Sequence, residues 1–101
     1  MTINELWQEH QRAPFPAGFR ARDIEGIDFV MLDADIAGCV SSFLKQRGSL
    51  DPRRTAVLGI CYRNVTYVLP QISGKGQPHF ARLEALARLV LEAVREQTKS
   101  P

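Results

Sequence analysis

Apolar residues recur at helical spacing along most of this chain. Ile3, Leu6, Trp7 and His10 stand at i, i+3, i+4 and i+7. Thr2, three residues before Glu5, has the spacing at which a hydroxyl caps the first turn while the carboxylate reaches back to the cap's own amide. A first helix is therefore predicted over 3–12, stopped by Pro14, Pro16 and Gly18. Residues 19–22 and 27–32 read as short extended runs around Gly26, which supplies the backbone freedom of a tight turn, so a small hairpin is expected over 19–32.

Ile36, Cys39, Val40, Phe43 and Leu44 fall on one helical face, with Asp33 or Asp35 as the cap and Gly48 as a left-handed stop, predicting a helix over 35–47. Asp51-Pro52 is a start signal, an acceptor followed by the residue whose missing amide costs nothing in the first turn. The stretch that follows is rich in β-branched and aromatic residues and leaves two readings. It is a helix over 52–69, apolar around more than half its circumference, or residues 55–69 form a second hairpin turning at Arg63-Asn64. The helix is preferred, because that turn lacks the glycine of the favoured two-residue hairpins and Pro70 makes a clean stop. Pro78 then opens a last helix over 78–97 with Phe80, Leu83, Leu86, Ala87, Val90, Leu91 and Val94 on one face and a Glu84, Arg88, Glu92 ladder on another. Residues 97–101 are expected to fray.

The pattern amounts to a mainly α fold, a small single domain over 1–101 of about four helices with a hairpin between the first two. The alternative is α+β. The core is expected around Val57, Ile60, Phe80, Leu83 and Val90. The 101 residues suffice for a core that needs neither metal nor disulfide. No uncharged stretch approaches the roughly 20 apolar positions of a spanning helix, so no membrane association is expected. The first residues carry neither a basic nor an apolar leader segment, which points to the cytoplasm. Cys39 and Cys61 belong to no C-x-x-C pair and are expected as buried, reduced thiols.

Candidate chemistry is sparse. Asp23, Glu25, Asp28, Asp33 and Asp35 form an acidic stretch, but Asp33-Ala34-Asp35 runs straight into an apolar helix rather than a calcium loop, so helix caps and a solvated hairpin are the simpler reading. Lys45, Arg47, Arg53, Arg54 and Arg63 form a basic stretch. A net charge of +2 is too small to demand nucleic acid, and pairing of this stretch with the acidic one is the plainer expectation. Ser73-Gly74-Lys75-Gly76 lacks the order and the following hydroxyl of a Walker loop. The cysteines and serines have His10 and His79 available as bases, but no motif joins them.

The expected function is therefore a non-catalytic interaction or regulatory domain, whose partner is another protein or a second copy, with Trp7 and Leu89 as contact residues. No catalytic residue, metal or cofactor is assigned. The first alternative is an enzyme with a small-molecule or metal pocket near Asp33, Asp35 and His79, taken as the more exposed histidine. The second is nucleic-acid binding through Arg47, Arg53, Arg54 and Arg63.

Overall fold

The computed structural model describes residues 1–98, the side chain of Thr98 excepted. Helix α1 (Ile3–Arg12) is followed by a two-stranded antiparallel hairpin, β1 (Asp23–Ile24) and β2 (Ile27–Asp28), then α2 (Phe29–Lys45) and α3 (Pro52–Val68). A 3-10 turn (Leu69–Gln71) leads to α4 (Gly76–Thr98). The fold is mainly helical, with four helices among the described residues and the hairpin between the first two. Residues 55–69 are helical and not a second hairpin. The part of the expected frayed end at 99–101 lies outside the described residues.

Local chemistry sets most of the boundaries. At α1 the Thr2 hydroxyl accepts from the Glu5 amide and the Glu5 carboxylate accepts from the Thr2 amide, a complete capping box. At α3 the Asp51 carboxylate accepts from the Arg54 amide at 2.8 Å and Pro52 occupies the first turn.

The hairpin is shorter than expected, and α2 begins six residues earlier than the 35–47 prediction. Its cap is Asp28, which accepts from the Met31 amide at 2.8 Å, rather than Asp33 or Asp35. Phe29-Val30-Met31-Leu32 is thus the first turn of a helix. An apolar run of that length fits a buried strand or a helix entry equally, and here Phe29 and Leu32 turn into the core while Met31 stays exposed. The far end of α2 closes with the Gly48 amide donating to the Phe43 carbonyl and the Arg47 amide to Leu44, so the left-handed residues are Arg47 (φ 56°) and Gly48 (φ 93°).

Helices α2, α3 and α4 pack against one another pairwise and α1 lies on α4. The core holds Ile36, Val40, Leu58, Val65, Val68, Phe80, Leu83, Leu86 and Val90. Phe80, Leu83 and Val90 are where the sequence puts them. Val57 and Ile60 are not: both are exposed, and α3 buries Leu58, Cys61, Val65 and Val68 instead. Spacing alone permits either stripe. Each stripe begins at an arginine, Arg53 or Arg54, but the one carrying Val57 and Ile60 then meets the amide of Asn64, whereas Leu58-Cys61-Val65-Val68 holds no charged or amide side chain and is the cheaper one to desolvate.

Phe19, Phe29 and Phe80 meet ring to ring at 5.1–5.7 Å, binding the segment after α1 to α2 and α4. Gly76 completes this contact, since a β-carbon there would stand 2.3 Å from the Phe19 ring.

Candidate functional site

Three helices bring one polar cluster together. Asp33 of α2 accepts from His10 Nε2 of α1 at 2.9 Å through one carboxylate oxygen and from His79 Nε2 of α4 at 2.7 Å through the other. The side chains of His10 and His79 are only 9% and 6% exposed. His79 is therefore buried, contrary to the expectation of an exposed imidazole, because it stands four residues before Leu83 and seven before Leu86, on the inward face of α4. Trp7 stacks on His10 at 5.8 Å and Phe15 meets His79 edge-on at 5.6 Å.

The proton positions follow from Arg82. Its guanidinium can only donate, and its Nη2 lies 3.2 Å from His79 Nδ1, so that nitrogen is the acceptor and His79 carries its proton on Nε2, facing Asp33. Burial alone would raise the Asp33 pKa, but the hydrogen bonds from His10 and His79 outweigh it and hold the carboxyl well below the usual carboxylate range.

His10, Asp33 and His79 offer donor atoms within 4.8 Å of one another, close enough to hold a metal ion. Their surroundings favour the hydrogen-bonded form. A liganding imidazole needs its other nitrogen to donate to an acceptor. Arg82 occupies His79 Nδ1 as a donor, and His10 Nδ1 is buried with no partner. The cluster is best described as a polar clamp joining α1, α2 and α4.

Asp35 does not join it. Two residues along a helix turn the side chain by about 200°, and Asp35 is exposed on the opposite side of α2, where Arg53, Arg54 and Val57 face it across a shallow depression floored by Ala34, Gly38 and Ser42. The pocket expected near Asp33, Asp35 and His79 is thus two separate places. The acidic and basic stretches come near each other there without forming ion pairs. Among the described residues Arg54 pairs with Asp51 at 2.6 Å, and Arg47, Arg53, Arg63 and Asp35 pair with nothing.

The expected contact residues Trp7 and Leu89 are half-buried and packed on the core. The exposed large apolar side chains are Met31, Val57, Ile60 and Tyr67, besides Met1. Both cysteines are buried and free, with the Cys39 thiol donating to the Arg54 carbonyl at 3.6 Å. Burial, with Asp35 nearby, pushes the Cys61 thiol up to about 11. Sequence reasoning missed His10 as a site residue because it completes an apolar stripe. The signal was an imidazole at the only polar position of that stripe.

Among the described residues no helix is long and apolar enough to cross a membrane. In comparisons with family models, curated proteins and solved structures, nothing matches this chain.

Proposed function

We propose that this protein is an interaction module that self-associates through the face formed by α2 and α3. The observation that carries the reading is the apolar ridge of α3. Val57, Ile60 and Tyr67 recur at helical spacing and lie exposed, Ile60 at 52%; Val57 lines a shallow depression with Ala34, Gly38 and Ser42, and Met31 (57% exposed) lines a neighbouring one that shares Asp35. Ridges of one helix pack into grooves of another, and small residues let backbones approach closely.

A second copy is the occupant that the charges favour. Among the described residues, Asp35 in the depression and Arg53 and Arg63 on α3 have no ion-pair partner, and a two-fold arrangement sets the acidic side of each copy against the basic side of the other. The Tyr67 hydroxyl already donates to Glu25, which leaves its ring as the contact surface.

Sedimentation velocity over a concentration series tests the reading. The wild type is expected to pass from monomer to dimer, and Ile60→Asp to remain a monomer with unchanged helicity. Asp35→Arg should weaken the dimer and Asp35→Arg with Arg53→Asp should recover part of it. A wild type that stays monomeric at the highest concentration overturns self-association, and capture of a different protein by the same face replaces the second copy as the partner.

A further inference from the structure

On the other side of the molecule an open cleft of about 460 Å³ lies between the segment after α1 and the start of α4. Its walls are Pro14, Phe15 and Pro78, and its polar groups are Lys75, His79 and Arg82. No acidic side chain lines it. The nearest carboxylate in the hydrogen-bonded chain, Asp33, stands on the far side of the His79 ring from Arg82 and is already held by two imidazoles. Arg20 lies over the Phe15 ring at 5.2 Å.

Arg82 is the residue in need of a partner. It lines the cleft half-buried, its Nη2 donates to the His79 ring, and it forms no ion pair among the described residues; its Nε is buried in the protein, out of a ligand's reach. A guanidinium without a counter-charge is shaped to hold a carboxylate by two parallel bonds, here from its Nη1–Nη2 edge. The rest of the cleft is apolar and stiffened by proline, and its volume suits a small organic molecule.

We infer that this cleft binds a small organic carboxylate, its charged end on Arg82 and Lys75 and its apolar body against Phe15, Pro14 and Pro78. The site is independent of the α2–α3 face, and neither proposal needs the other.

Benzoate is a suitable probe, with benzamide and inorganic phosphate as controls, titrated into the full chain and followed by ¹⁵N–¹H correlation spectra and calorimetry. Saturable benzoate binding is expected, with shifts concentrated in residues 13–17 and 75–82. Benzamide should not bind, and phosphate should bind at least about tenfold more weakly. Arg82→Gln should weaken benzoate by about tenfold and Lys75→Gln by about threefold. Because Arg82 touches His79, the exposed Lys75→Gln, together with Phe15→Ser, keeps the test open should Arg82→Gln fail to fold. Absence of saturable binding overturns the inference. So does benzamide or phosphate binding as tightly as benzoate, or unchanged affinity in the folded variants.

Discussion

Asp33 and His79, 46 residues apart in the chain, meet at 2.7 Å, and the same carboxylate holds His10 through its other oxygen. One side chain of α2 thus fastens both α1 and α4. Removing it leaves two N–H donors in a nearly buried place, whereas hydrogen bonds to a charged group contribute about 1.5–3 kcal/mol each. Asp33→Ala is expected to lower stability by about 3 kcal/mol in urea denaturation and to loosen α1 first, seen as faster amide exchange in residues 3–12.

The same carboxylate sets a pH dependence. Its folded-state pKa lies below its unfolded value of about 3.9, so its contribution is complete above about pH 5 and is lost progressively as the pH falls through the unfolded value toward the folded one. The wild type should therefore lose more stability between about pH 5 and about pH 3 than Asp33→Asn does. Parallel acid limbs for the two proteins would contradict the depressed pKa.

Gly76 is intolerant for a reason of space. A β-carbon there would overlap the Phe19 ring, which is itself fixed by Phe29 and Phe80 and cannot retreat. Gly76→Ala, normally favourable inside a helix, should here destabilise by about 1–3 kcal/mol. Combination with Phe19→Leu, which frees the space, should cost less than the sum of the two single changes.

Arg47 is strained in the left-handed region, where side chains with a β-carbon lose about 1 kcal/mol relative to glycine. Its side chain is exposed and has no ion pair. Arg47→Gly is expected to raise the thermal midpoint by a few degrees. Arg47→Val, with its branched β-carbon, should lower it.

Cys39 and Cys61 should label slowly in the folded protein, because both are buried and burial raises the thiol pKa of each. Labelling is expected to accelerate with denaturant in step with unfolding. Fast, stoichiometric labelling of Cys61 under native conditions would show that α3 opens locally.

Local signals wrote much of this fold into the chain. Thr2 and Glu5 cap α1, Asp51-Pro52 starts α3, and the stripes of α2 and α4 name their buried residues, because capping and periodicity act within a few turns. The start of α2 escaped that reading because Phe29-Val30-Met31-Leu32 carries no period of its own, and Asp28 becomes a cap only once the chain turns there.

Tertiary placement decided the rest. Helix α3 is apolar on two stripes, and only its position between α2 and α4 determines that Leu58 and Val65 are covered while Val57 and Ile60 face outward. The clamp is the same kind of decision. His10, Asp33 and His79 lie on three helices with no spacing to relate them, and they meet because the hydrophobic faces beneath them leave one arrangement in which each buried imidazole finds an acceptor. A helix's own sequence determines which stripes can be buried, but the desolvation cost of every neighbouring face together selects which one is.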